Sequence, residues 1–379
     1  MSEHTADDMT RREAFGKASR AWWRGIASGQ ELGVFIVLVA MILYLTWKTD
    51  TFATAQNVRN IWLSFSWIAI AAFGQTFVII TGGIDLSTGS TMALSGLAAA
   101  FLIAGNIEGH PTDWMIEKMV GGRMQAMGPD KYVPIALLAG PLMGLLIGTI
   151  NGLLVAWANL PAFIATLGMM SIARGICYGW SGAWPFQKLN NEFLRIGQND
   201  VNLFGLDVPI PFIIMIIIAL IMSIFLTRTV WGYRIYALGG NEQASKLSGI
   251  NTRRVKLIAF MASGLMAGIG GTLMTSRLGV AAPTAAQGYE LDAIAAVFIG
   301  GTSVTGGKGT IVGTLIGAAI MQVLRSGLNL LGYDPNWQPA AIGLTIILAI
   351  MFDRLRVRLQ NRPASSLFST QGLRSRLGR

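Results

Sequence analysis

Long apolar stretches separated by short polar ones run along almost the whole chain, and most approach the roughly 20 residues a helix needs to cross a bilayer. Ten such segments stand out, at 32–48, 61–81, 88–104, 133–156, 162–180, 209–227, 257–276, 291–302, 309–331 and 339–353. Polar stretches at 105–132 and 181–207 read as loops on one side, the second carrying Asn190, Asn191 and Asn199. Asn159-Leu-Pro161 reads as a tight turn between the fourth and fifth segments. The pattern predicts an all-α polytopic membrane protein with about ten transmembrane helices and no separate soluble domain.

Two breaks interrupt the apolar pattern. The first, Gly82-Gly-Ile-Asp-Leu-Ser-Thr-Gly-Ser90, places the carboxylate of Asp85 among glycines and hydroxyls. An Asp near the centre of a transmembrane helix costs roughly 2.5–3.5 kcal/mol even on a lenient scale. Irregular backbone at that depth survives only where protein or a wet cavity satisfies its amides. The break therefore reads as broken or re-entrant chain beside a solvated path, or else as a polar turn at the membrane surface. The second, Gly300-Gly-Thr-Ser-Val-Thr-Gly-Gly307 running to Lys308, shares with it an opening Gly-Gly, a hydroxyl at the sixth position and Gly at the eighth. Paired glycine-interrupted segments in two halves of a chain point to a transport pathway.

Composition supports this reading: 53% of residues are hydrophobic and 13% charged, against about 25% charged in soluble domains. The formal charge of +10 is a topology signal and does not point to nucleic acid. Five of the 29 Lys and Arg lie in residues 1–30, six between Arg228 and Lys256, and seven from Arg354 onward. Basic residues gather in cytoplasmic segments, so these three regions, and with them both termini, are expected in the cytoplasm. Residues 1–30 lack the short apolar core and cleavage site of a signal peptide. The organisation is a 1–30 tail, a 31–355 transmembrane domain whose cytoplasmic loop is 228–256, and a basic 356–379 tail. The single Cys177 excludes an intramolecular disulfide.

Asp85 can cap and anchor the third helix, since a helix N-terminus favours a carboxylate, or face a cavity and touch a polyhydroxylated solute. Ser87, Thr88 and Ser90 sit beside it. Arg174 is the other intramembrane charge, free to pair with a carboxylate, to snorkel or to line a path; Asp292, beside Glu290, reads as interfacial. Catalytic and metal sites are not expected. His4 and His110 stand apart from any ligand cluster, and Asp85 and Asp292 map to opposite sides, which disfavours an intramembrane protease. The run to Lys308 is no phosphate loop, because Thr302 replaces its first glycine and Gly309 its final hydroxyl. In the cytoplasmic loop, Glu242 through Leu247 predict a short helix capped by Asn241 and ended by Gly249. Such a helix suits a groove on a partner.

Together these segments resemble the permeases of bacterial ABC importers for monosaccharides, the ribose/xylose/galactose family. The resemblance is carried by Gly82–Ser90, Gly148-Thr-Ile-Asn-Gly152, Pro161-Ala-Phe-Ile-Ala-Thr-Leu-Gly168, Ala237-Leu-Gly-Gly-Asn241 with Leu247-Ser-Gly-Ile250, and Tyr289-Glu-Leu-Asp-Ala-Ile-Ala-Ala296 running into Gly300-Gly-Thr-Ser303. It spans about residues 31–355; Asn159 stands where the family often has a basic residue, and loop 105–132 is longer than in many relatives. The resemblance implies a homodimeric, non-enzymatic transport subunit in the bacterial inner membrane. Its partners would be two copies of an ATPase, which uses ATP and Mg, and a periplasmic sugar-binding protein; this chain itself would bind no cofactor. It assigns Gly239, Gly240, Asn241, Ala244, Leu247, Ser248 and Gly249 to an ATPase-coupling helix, and offers Asp85, Ser87, Asn151 and Thr166 as residues lining or supporting the pathway. Two other classes remain in play: an ion-coupled secondary transporter using Asp85, and a membrane scaffold or receptor.

Overall fold

A computed structural model describes residues 29–104, 130–203 and 205–360. The 1–28 tail, residues 105–129 and the basic tail beyond 360 lie outside the described residues, and so do the readings made for them, including His4 and His110. The elements in chain order are α1 (Gly29–Lys48), α2 (Ala55–Ile80), α3 (Thr88–Phe101), α4 (Val133–Ala156), α5 (Ala162–Ser181), α6 (Asn191–Gln198), β1 (Asp200–Leu203), β2 (Leu206–Pro209), α7 (Ile210–Arg228), α8 (Val230–Gly240), α9 (Glu242–Leu247), α10 (Thr252–Leu278), α11 (Tyr289–Ile299), α12 (Ile311–Leu330) and α13 (Gln338–Gln360).

A helix forms at each of the ten apolar segments, but they are not equivalent. Seven (α1, α2, α4, α5, α7, α10 and α12) are long and apolar enough to cross a membrane. Helix α3 has 14 residues and α11 has 11; at 1.5 Å per residue they extend only about 21 and 17 Å. Both are half-length helices. In α13 the apolar part is Gln338–Leu348.

The core is built around α10, and small residues allow it. Gly140, Gly144, Gly148 and Gly152 recur every four residues on α4 and meet Thr272, Gly268, Gly264 and Leu257 of α10 in reverse order. A Cβ placed at Gly144 would stand 2.2 Å from the Gly264 carbonyl, and one at Gly264 would stand 2.2 Å from the Gly144 carbonyl. Lipid supplies no hydrophobic drive between helices, so such close backbone packing is what holds them. Helix α2 runs antiparallel to α10 on another side, with Gly74 against Ser263 and Gly270 against the Trp67 carbonyl. Helix α3 runs parallel to α10 but beside its second half alone, with Gly271 against Met92 and Gly96 against Thr275.

These neighbours locate the true partner of the 82–87 break. The chain leaves α2 at one face, climbs through 82–87 and starts α3 deep in the bundle. Symmetrically, it leaves α10 at the other face, descends through 279–288 and starts α11 at comparable depth, where Ala286 clusters with Trp67, Met92 and Ala267. Segment 300–308, expected to match 82–90, is instead a turn at the face where α11 ends and α12 begins. Its likeness is limited to glycines; Gly301, Gly306, Gly307 and Gly309 all have positive φ, as a tight connection requires.

The loop expected at 181–207 is folded: Asn190 caps α6 through the Glu192 amide, and β1 pairs antiparallel with β2. Arg59 at the start of α2 bonds Asp200 at 2.7 and 3.0 Å, tying the hairpin down. Both described chain ends lie on the α9 face. Glu31 of α1 accepts from Thr310, just before α12. Helix α13 starts at the opposite face, where Gln338 donates to Asn329.

Candidate functional site

The 82–87 segment is closed by side chains from three helices. Asp85 Oδ1 accepts from the Ser87 amide at 2.9 Å and the Ser87 hydroxyl at 2.7 Å, while Oδ2 accepts from Ser263 of α10 at 2.8 Å. Asn151 of α4 donates to Ser87 Oγ at 2.9 Å. Thr166 of α5 donates at 2.8 Å to Ala162 O and at 3.3 Å to Ile84 O. The four proposed pathway residues therefore do come together, and all are buried; Asp85 is 2% exposed and Asn151 not at all. In this conformation they brace the re-entrant chain. Ser263 belongs to the same network and was not singled out in the sequence, where one serine in a small-residue helix carries no signal.

The 279–288 segment is anchored differently. Gly279 closes α10 in the left-handed region, and Ala281 pairs with Phe186 through two 2.9 Å backbone bonds. Arg174 of α5 donates to the carbonyls of Pro283 at 2.6 Å and Ala285 at 2.8 Å. Of the three roles open to Arg174, the structure shows it bonded to two backbone acceptors that a turn leaves unpaired. Ala286, with φ of 53°, and Gly288, with φ of 85°, make the bend into α11. The Glu290 carboxylate leans into space left by Gly89, where a Cβ would meet Glu290 Oε2 at 2.1 Å. Asp292 is not interfacial, as its place beside Glu290 had suggested. It is 1% exposed and paired with Arg325 of α12 at 2.5 Å, whose guanidinium stands 5.5 Å over the Tyr289 ring.

The 228–256 loop forms two helices where one was expected. Helix α9 matches the expected short helix: Asn241 Oδ1 accepts the Ala244 amide at 2.9 Å, and Gly249, with φ of 79°, ends it. Gly240, Asn241, Ala244, Leu247, Ser248 and Gly249 are all exposed; Leu247 is 90% exposed. Gly239 sits apart from these six. It lies in the last turn of α8 and faces inward, where a Cβ would stand 1.7 Å from Ile80 O and 2.5 Å from Gly307 N. Helix α8 itself was missed because the aromatic and glycine residues of Trp231-Gly-Tyr233 blur its period.

Glu242 bonds Lys246 at 2.9 Å and Lys256 at 3.0 Å. Partial burial pushes its carboxyl up, but the two lysines outweigh that and hold it below its ordinary value. The Glu242–Lys256 pair also borders a cavity of about 320 Å³ whose other walls include Gly82, Gly83, Asn159 and Ala162. The 228–256 loop and the re-entrant segment thus share one chamber. Among the described residues no cluster suited to a metal ion occurs.

The ribose import permease protein of Escherichia coli (strain K12) is 39% identical over 354 residues, covering 91% of this chain and 99% of its own length. That of Bacillus subtilis (strain 168) is 37% identical, covering 86% and 93%. The xylose transport system permease protein of Escherichia coli (strain K12) is 32% identical, covering 85% and 92%. A family model described as "Branched-chain amino acid transport system / permease component" matches residues 57–350. The chain belongs to the ABC importer permeases of the monosaccharide type. The region matched in the permease takes in both re-entrant segments, the 228–256 loop and α12. No solved structure matches the permease.

Proposed function

We propose that the permease conducts a monosaccharide or related polyol across the bacterial inner membrane, as a homodimer served by two ATPase subunits and a periplasmic binding protein. The ATPase holds ATP and Mg; this chain supplies the path and performs no catalysis. Relatives named for ribose, allose and xylose support a sugar as cargo. The distribution of charge fits a neutral solute, because Asp85, Arg174, Asp292 and Arg325 are all engaged with protein groups. The basic residues gathered in both tails and in 228–256 support a cytoplasmic position for both termini and α9.

The observation that carries the reading is α9. It is a capped helix with Leu247 almost fully exposed, and a polar frame of Asn241 and Ser248 surrounds that apolar tip. A large apolar side chain on a basic face fits an anchor for a pocket on a partner. Below α9, Asn251 caps α10 through the Arg254 amide at 3.1 Å, so movement of α9 passes directly into the helix that bonds Asp85. ATP binding by the partner shifts the permease only through its differential affinity for the two permease states. The ion-coupled alternative is disfavoured by Asp85, whose carboxylate oxygens are occupied by Ser87 and Ser263.

The test is recovery of the ATPase with wild-type permease and with Gly240→Arg plus Leu247→Glu, read beside ATP-dependent sugar uptake. Both positions are exposed, and a Cβ at Gly240 meets nothing within 4 Å, so the substitutions start into open space. Loss of ATPase and of uptake together is expected. Uptake that persists without any ATPase rejects the importer reading.

A further inference from the structure

The two faces of the permease differ in one respect that the transport reading leaves unused. On the 279–288 segment, Thr284 and Gln287 are exposed, and neither side chain bonds any described residue. Their neighbours show where they sit. Ala286 belongs to a buried cluster with Trp67, Met92, Ala267 and Met274, and its carbonyl would stand 2.5 Å from a Cβ at Gly89. Ala267 and Met274 lie 11 and 4 residues before the end of α10, so at 1.5 Å per residue the cluster spans about 6–17 Å below that helix end. The chain therefore carries a primary amide, and above it a hydroxyl, down into the bilayer with no partner among the described residues.

Lipid cannot satisfy those groups. Non-helical backbone at membrane depth is tolerated where it is buried in protein or lines a water-filled cavity, and exposed polar side chains there mark a path. The segment is also rigid. Arg174 clamps two of its carbonyls, the Ala281–Phe186 pairing fixes its start, and the left-handed Ala286 fixes its bend. Two polar groups presented on a braced backbone form a contact surface, unlike side chains on a mobile loop.

We propose that Thr284 and Gln287 line the outer half of the translocation path and hydrogen-bond the hydroxyls of the passing sugar. This rests on the importer reading and names the residues that touch its cargo. A hydroxyl and a carboxamide each donate and accept, and neither titrates, so together they suit a neutral polyol at any physiological pH. Two such contacts, without a charge or an aromatic platform, bind weakly enough for release.

The experiment uses the full transporter in membranes, with Thr284→Cys and Gln287→Cys each made in a Cys177→Ala background. Cys177→Ala removes a single heavy atom, and with it the one native thiol that could compete for label. A charged, membrane-impermeant methanethiosulfonate probes each thiol, with Ile217→Cys on the exposed apolar face of α7 as the lipid-facing control. Because only a hydrated thiolate reacts, labelling of the two test thiols at least about tenfold faster than the control is expected, in the nucleotide-free or the vanadate-trapped complex. Gln287→Ala is expected to raise the KM for uptake by about tenfold, the loss of one hydrogen bond, with Gln287→Asn partly restoring it. Labelling no faster than Ile217→Cys in both states overturns the proposal, as does disulfide formation between two copies without labelling. If wild type takes up no sugar, the importer reading fails instead, and the labelling rates still report whether water reaches the segment.

Discussion

Segments 82–87 and 279–288 do the same job from opposite faces: each leaves a long helix, turns back into the bundle and starts a half-length one. They are held by different means. The first is stitched side chain to side chain, with Asp85, Ser87, Asn151 and Ser263 in one buried network. The second is held mainly through its backbone, by Arg174 and by strand-like pairing at Ala281, and leaves Thr284 and Gln287 uncommitted. A segment whose polar groups are spent on itself serves as a brace. One fixed through its backbone keeps its side chains for a solute.

The comparison breaks most sharply at Asp85. Asp85→Ala leaves two hydroxyls and an amide without their acceptor at a buried site, and it is expected to destabilise the permease by about 3 kcal/mol. Asp85→Asn, which keeps one acceptor oxygen, is expected to lose about half of that. Thermal unfolding in detergent reads both; a loss below about 0.5 kcal/mol for the alanine variant means the network is not the brace.

A smaller effect is expected at Arg174. Replacing it with Met keeps the bulk of the side chain but frees the Pro283 and Ala285 carbonyls, at about 1–3 kcal/mol. Hydrogen exchange should then rise across 281–288 while 82–90 stays protected. Equal loosening of both segments contradicts their independent anchoring.

The smallest effect belongs to the Glu242 pair, which faces the first segment only across the cavity beside Gly82 and Gly83. Its folded carboxyl lies below the ordinary value of 4.5, so the contribution is full above that pH and lost as pH falls through the lower folded value. The pair is partly exposed, and solvent screening limits it to about 0.2–1 kcal/mol. Glu242→Gln should therefore narrow the stability difference between pH 7 and pH 4 only slightly, and a large change would reveal a coupling of α9 to the core beyond these contacts.

The periodicity made the ten helical segments legible, and α9 could be read almost to the residue because Asn241 and Gly249 are strong local signals. The re-entrant pair was only half legible. Gly82-Gly83 drew attention to one member, but the other runs Ala281-Ala-Pro-Thr-Ala-Ala-Gln-Gly288 and has no glycine pair, so 300–308 was matched in its place. What marks 279–288 is Pro283 and Gly288 ahead of a helix too short to span. Asp292 looked interfacial for a related reason: sequence position placed it near a face, whereas the dip in the chain carries it to Arg325. Hydrogen bonds between distant residues, such as Asp85 with Ser263, have no local trace at all.

One helix connects everything described above. From the Asn251 cap to Gly279, α10 runs without a break for 27 residues, about 40 Å, with α9 just before its start and 279–288 just after its end. Glycines weld its middle to α4, which leaves it little freedom to bend. A rigid rod of that length works as a lever: a tilt of about 5° around the glycine crossing moves its two tips by nearly 2 Å each, in opposite directions, over half-lengths of about 20 Å. A push too small to disturb packing at the cytoplasmic tip thus displaces the outer turn by more than half a hydrogen-bond length.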